Sequence, residues 1–283
     1  GVDFSIALAH AMSTIGTCGF STYDDSTMHF HNLPFELWTA LFMFLAGGSF
    51  SLYYRAYIKG PAVILRNAEF RTYLGIVLTA MLLIALNLIL SMGMDGDMAA
   101  RVAVFQVTSL STTGFVSADF ETWPTFSKMV LLLLMVIGGC AGSTASGIKV
   151  ARLILLVRNA RAVVLQKLNP NRVVDITLTG AHVDGAMLMR VGTFFFLYLA
   201  VIFVTAFLLA MDGLLPFDAV AVAITTIGNI GPAFGIVSAT STYAPLSDFS
   251  KAILCLTMLL GRLEIFTLLI LLQPSFWRRT HRW

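Results

Sequence analysis

Three short segments, residues 11–21, 107–117 and 224–234, set hydroxyl residues and glycines in nearly the same order: AMSTIGTCGFS, VTSLSTTGFVS and ITTIGNIGPAF. Aligned on Gly19, Gly114 and Gly231, they bring Ser13, Thr108 and Thr225 into one column and Thr14, Ser109 and Thr226 into the next. What such stretches offer is neutral oxygen: hydroxyls, and backbone carbonyls that glycine, free to take positive φ, can turn toward a common side. Carbonyls gathered around one axis can replace the hydration shell of a monovalent cation. One segment alone would read as a loop that turns the chain. Its recurrence at matching places points to the lining of an ion path.

A second constellation runs from Gly138 to Lys149, with glycines at 138, 139, 142 and 147 and hydroxyls at Ser143, Thr144 and Ser146. By summed propensity this tract would weaken a helix by several kcal/mol. It is not a phosphate-binding loop, because Lys149 stands two places after Gly147 and Val150 replaces the Ser or Thr that would bind Mg²⁺. Intramembrane proteolysis with Ser143 or Ser146 as nucleophile needs a base. The five histidines, however, all lie in or beside non-spanning segments. A third feature is Arg262, central in the apolar run 249–273, with Glu264 two residues on, roughly 200° around a helix. A charge at membrane depth is a functional candidate by default, and Glu264 is read as a structural partner. The three cysteines, Cys18, Cys140 and Cys255, have no metal-ligand spacing.

The elements that must position these residues belong to a membrane protein. Of 283 residues, 58% are hydrophobic and 12% charged, too little polar surface for a water-exposed exterior. Disorder, a disulfide scaffold and nucleic-acid binding are excluded on the same grounds, the net charge being only +3. Uncharged runs at 37–54, 72–94, 129–148 and 191–211, and the run 249–273, are each long enough to cross about 30 Å of hydrocarbon as a helix. No basic segment precedes an apolar core at the start, so no cleavable leader is read there. Arg55, Lys59, Arg66, Arg71, Arg152, Arg158, Arg161, Lys167, Arg172, Arg190, Arg278, Arg279 and Arg282 fall on one side of these spans, and only Arg101, Lys128 and Lys251 on the other. The positive-inside rule makes the first side, with the C-terminus, cytoplasmic. The opposite loops carry Asp95, Asp97, Asp119 and Asp218, an acidic outer face. The reading is all-α, built from helix, pore loop and helix: a partial repeat at 1–60, a complete one at 61–158 with a broken second helix, and a cytoplasmic loop plus last repeat at 159–283. A short strand is expected over 173–178.

In these residues the chain resembles the Trk/Ktr/HKT superfamily of K+ transporters, and within it the bacterial TrkH-type membrane subunit. The resemblance covers the last three of four pore loops, so the chain is read as the C-terminal part of a longer subunit. It implies gated conduction of K+, with Na+ as a second candidate, in the inner (plasma) membrane as part of an uptake system. Coupled symport and passive conduction both stay open, and no enzymatic step is implied; the alternative reading is a non-conducting membrane assembly subunit or an intramembrane hydrolase. It makes Thr17, Cys18 and Gly19, Thr112, Thr113 and Gly114, and Asn229, Ile230 and Gly231 the filter, with K+ at Cys18, Gly19, Thr113, Gly114, Ile230 and Gly231 and no other cofactor. Gly231 is followed by Pro232 where the others have Phe20 and Phe115, so the last repeat is the least typical. The resemblance also makes Gly138, Gly139, Gly142, Ser143, Gly147 and Lys149 a gate loop under the filter that meets Arg262. Gly47-Gly48-Ser49, a shorter echo of that loop, is read as packing only. The implied partners are a second copy of the chain and a cytosolic nucleotide-binding regulatory subunit of TrkA type, docked on the basic segment 158–189.

Overall fold

The computed structural model describes residues 2–170 and 175–277. Arg172, the first residues of the expected strand, and Arg278, Arg279 and Arg282 lie outside the described residues. In chain order the helices are α1 (Phe4–Ile15), α2 (Leu33–Ala46), α3 (Phe50–Lys59), α4 (Ala62–Arg66), α5 (Ala68–Met92), α6 (Gly96–Thr108), α7 (Thr125–Ile137), α8 (Val150–Leu168), α9 (Gly185–Met211), α10 (Pro216–Ile227), α11 (Asp248–Arg262) and α12 (Ile265–Leu272). Of the described residues of the expected strand, Thr177–Leu178 is strand, paired antiparallel with Ala181–His182 in a minimal hairpin.

Among the described residues two helices are long and apolar enough to cross a bilayer unbroken, α5 with 25 residues and α9 with 27. Asn67 starts α5 by accepting the Phe70 N–H at 3.0 Å, and Gly93 ends it in the left-handed conformation. One stripe of α5 is buried, Tyr73, Val77, Ala80, Ile84 and Leu88, while Leu78, Leu82, Leu86 and Leu90 are exposed. In α9, Phe194, Tyr198, Ile202 and Leu209 face inward and Phe196, Phe203 and Phe207 outward. Helices apolar on both faces are stable only with lipid on the outer one. The chain is a multi-pass helical membrane protein.

The other three spans are broken, among them 37–54 and 249–273, expected as single helices. The run 37–54 splits at Gly47-Gly48-Ser49 into α2 and α3, bent by 91°. The run 249–273 splits after Arg262 into α11 and α12, bent by 110°. Arg262 therefore ends a helix rather than sitting mid-helix, and Glu264 takes φ 60° before α12 begins. The run 129–148 stops at Ile137, because Gly138 at φ 72° leaves the helical region, and helix resumes only at Val150. Three short helices, α1, α6 and α10, pack against α2, α5 and α9 respectively.

Candidate functional site

Each of the three recurrent segments begins at the C-terminal end of one of the short helices α1, α6 and α10 and runs on beyond it. A helix C-terminus carries roughly −0.5 of an elementary charge, so three of them beside one centre favour a cation there. In the first segment the Cys18 N–H donates to Ser13 O at 2.9 Å, and in the third the Ile230 N–H donates to Thr225 O at 3.0 Å, aligned positions in both donor and acceptor. In the second, the same five-residue closure falls one place later, from Gly114 N–H to Ser109 O at 2.9 Å. There Ser109–Thr113 is a π-helical turn. The Ser109 hydroxyl holds it by donating to Phe115 O, and Thr112 by donating to Thr108 O at 3.0 Å.

Gly19, Gly114 and Gly231 take φ of 68°, 103° and 108°. A Cβ on Gly19 would overlap the carbonyl oxygen of Thr113, and one on Gly114 would overlap that of Ile230. The three segments therefore stand side by side in an arc, first against second and second against third. A cavity of about 380 Å³ separates the third segment from the first, lined by Thr17 to Phe20 on one side and Asn229 to Pro232 on the other. Within the arc Thr17, Thr112 and Thr113 are buried, and the Cys18 thiol is exposed.

The third segment departs from the expectation that all three glycine carbonyls turn to one axis. The carbonyl of Gly231 accepts the hydroxyl of Tyr243, and Thr225 Oγ1 donates to Pro232 O at 2.8 Å. Pro232 has no N–H of its own, so these side-chain bonds add to the backbone closure from Ile230 N–H to Thr225 O. Nothing in the pattern of the segment itself marks Tyr243, which lies twelve residues on.

Gly138 to Lys149 is non-helical and closed at its neck. The Ile148, Lys149 and Val150 N–H groups donate to Val136, Ile137 and Gly139 carbonyls at 3.0–3.2 Å, and a Cβ on Gly138 would overlap Ser146 O. Gly147 presses on Gly138 from the other side, so any side chain at this neck would force its strands apart. Lys149, at φ 75°, folds back so that Nζ donates to Ala145 O. Ser143 donates to Cys140 O at 2.6 Å.

The near half of this loop is seated on the break between α2 and α3. Cys140 N–H donates to Gly47 O at 2.8 Å and Phe50 N–H to Gly142 O at 3.2 Å. Gly47 is itself wedged between the Tyr73 hydroxyl and the Thr112 methyl, so a path of contacts runs from loop to second filter segment. The Gly47-Gly48-Ser49 echo is thus a seat for the loop and not merely helix packing. Its signal was in the sequence as two adjacent glycines in an apolar run.

Arg262 joins the loop to the first segment. Its guanidinium donates to Thr144 O at 2.6 Å, to Gly16 O at 3.0 Å and to Thr17 Oγ1 at 3.4 Å. The break after Arg262 is what aims the side chain there. Thr144 Oγ1 adds a bond to Ile15 O at 2.9 Å. Glu264 pairs with Arg152 at 2.9 Å, and Arg152 stacks 4.0 Å over the Phe194 ring. A cavity of about 430 Å³ beside the loop is lined by Lys149, Arg152 and Arg262 against the single carboxylate of Glu264, a net positive wall. Neither Ser143 nor Ser146 is hydrogen-bonded to a histidine among the described residues. The buried histidine of α1, His10, is engaged by Ile6 O at 2.8 Å and Ser21 Oγ at 3.0 Å.

Residues 3–279 match the family described as TrkH, cation transport protein. The Trk system potassium uptake protein TrkH of Salmonella typhimurium is 35% identical over 276 residues, which cover 96% of this chain and 56% of that protein. Its namesake from Vibrio parahaemolyticus is 37% identical over 281 residues, 96% of this chain and 57% of the relative. The crystal structure of the potassium transporter TrkH from Vibrio parahaemolyticus aligns with a TM-score of 0.89 at 34% identity, covering 96% of this chain and 59% of that one. The chain thus spans somewhat over half the length of these relatives. It belongs to the TrkH family of cation transport proteins.

Proposed function

From that membership we propose that the chain forms the gated ion path of a K+ uptake protein, conducting K+ and, less favourably, Na+ down an electrochemical gradient without chemistry on a substrate. The observation that carries this reading is the arc: three equivalent segments, each at a short-helix C-terminus and each with a positive-φ glycine, packed edge to edge. Partly dehydrated K+ would sit against carbonyls of Cys18, Gly19, Thr113, Gly114 and Ile230, with Gly231 contributing less because Tyr243 occupies its oxygen. The relatives named above are potassium uptake proteins, which supports K+ as the cargo.

The loop from Gly138 to Lys149 acts as the gate in this reading, held across the inner end of the path by Arg262. Supporting it, the loop touches α1 and α2 where they meet the filter, and the cavity beside it is lined by net positive charge, which opposes cation passage. The segregation of Lys and Arg supports a cytoplasmic C-terminus in a plasma membrane. The basic α8 and the hairpin at 177–182, which Arg158 ties together through Thr177 O, are the surface we assign to a cytosolic nucleotide-binding partner of TrkA type, in a dimer of the transporter. The repeat boundaries we assign are 1–60, 61–158 and 159–283.

The test is flux of K+ and of Na+ into liposomes containing the purified intact protein. K+ flux exceeding Na+ flux, both abolished by denaturation, supports the reading. Folded protein that passes neither ion contradicts it.

A further inference from the structure

The first and second filter segments meet the loop through Arg262 and Gly47, and the third meets it through one neutral side chain, that of Asn229. Asn229 sits at φ 52°, two residues before Gly231, the aligned position to Thr17 at φ 49°. Asn accepts the left-handed region more readily than other non-glycine residues, which fits it to the backbone here. Its amide, however, is used elsewhere. Nδ2 donates to Ser146 Oγ of the loop at 3.3 Å and to Met258 O of α11 at 3.1 Å, one turn before that helix breaks. The helix comes so close that a Cβ on Gly261 would overlap Ile227 O and crowd the Asn229 amide.

We propose that Asn229 is a latch: through it the loop and the break in α11 hold the third filter segment in shape, so that loop position sets filter geometry as well as pore opening. This rests on the reading of the loop as a gate. A loop that withdraws takes Ser146 with it. Asn229 is then left in a strained conformation, its backbone N–H bonded to Thr226 O but one of its external anchors gone. The third segment softens, and preference for K+ falls as conduction rises. Arg262 makes a similar connection at the first segment, but its charge mixes electrostatics with positioning. Asn229 carries no charge, and so isolates positioning.

The experiment is K+ and Na+ flux in liposomes for intact wild-type protein, Ser146→Ala, Asn229→Gly, the double variant and Ser146→Thr. Asn229→Gly keeps the positive φ and removes the amide, while Ser146→Ala leaves the filter backbone untouched and serves if Asn229→Gly does not fold. Ser146→Ala should raise K+ flux about fivefold, the scale of one lost hydrogen bond, and Asn229→Gly, which also loses the bond to Met258 O, should raise it at least as much; both should lower the K+ over Na+ ratio. The double variant should do no more than Asn229→Gly alone, and Ser146→Thr, which keeps the hydroxyl, should behave as wild type. Raised flux with an unchanged ion ratio, fully additive effects, or wild-type behaviour of Ser146→Ala would overturn the latch. Absence of flux from the wild type itself would remove the pore reading, and the latch with it.

Discussion

Gly114 is constrained twice, by φ 103° and by the Ile230 carbonyl that occupies the place of a side chain. Gly114→Ser must therefore push the third segment away from the second, and we expect the K+ over Na+ flux ratio to fall by about tenfold or more, a change of about 1.4 kcal/mol in relative barrier. An unchanged ratio in folded protein would show that the carbonyls here do not select. Arg262 poses the opposite case, a charge whose removal should help conduction. Arg262→Ala deletes three hydrogen bonds and a positive charge beside the path, and should raise K+ flux roughly tenfold. At this scale much was legible: aligned glycines and an intramembrane arginine stand out in one dimension. Tyr243 and the Asn229 amide did not, because their partners are far along the chain and no local pattern encodes them.

Among the elements, the loop between α7 and α8 is closed at a neck that only glycine fits, so it can move as a unit. Deleting Ser143 to Ala145 removes the Arg262 and Ile15 contacts while sparing the neck, and K+ flux should rise several-fold; reduced flux with a normal elution profile would assign the loop to packing instead. The outer ends of α9 and α11 are tied by Asp212, which accepts the hydroxyls of Ser247 and Ser250 at 2.5 and 2.6 Å and is thereby held below the usual carboxylate range. A carboxylate depressed in the folded state stabilises above its unfolded value, about 3.9, and that contribution fades as pH falls through the lower folded value. Thermal midpoints in detergent should therefore show a larger acid-induced drop for wild type than for Asp212→Asn, and parallel curves would contradict the tie. Element existence was readable from hydropathy, and the break after Ile137 from its glycines, but the breaks within 37–54 and 249–273 were not. An apolar window averages over a break of two or three residues, so 37–54 and 249–273 read as continuous although Gly47-Gly48 and the Leu263-Glu264 corner turn the chain through about a right angle. The first break had its glycines as a warning. The second had only Glu264, whose positive φ no propensity anticipates.

The whole molecule is an arrangement of three short helices whose C-termini and following segments share one centre, with long helices α5 and α9 outside them and a loop pinned to all three segments. The edge-to-edge order of the arc and the loop's contacts with Gly47 and Asn229 could not be read from the sequence, since they join segments about a hundred residues apart. The charge asymmetry and the recurrence could, and they fixed which residues to look for. Anomalous diffraction from crystals of the intact protein soaked in Tl+, a heavy congener of K+, tests the central claim most directly. Our account predicts a peak inside the arc, within coordination distance of the Thr113, Gly114 and Ile230 carbonyls, that weakens when excess K+ is added. Tl+ found elsewhere, with the arc empty in protein that conducts, would contradict it.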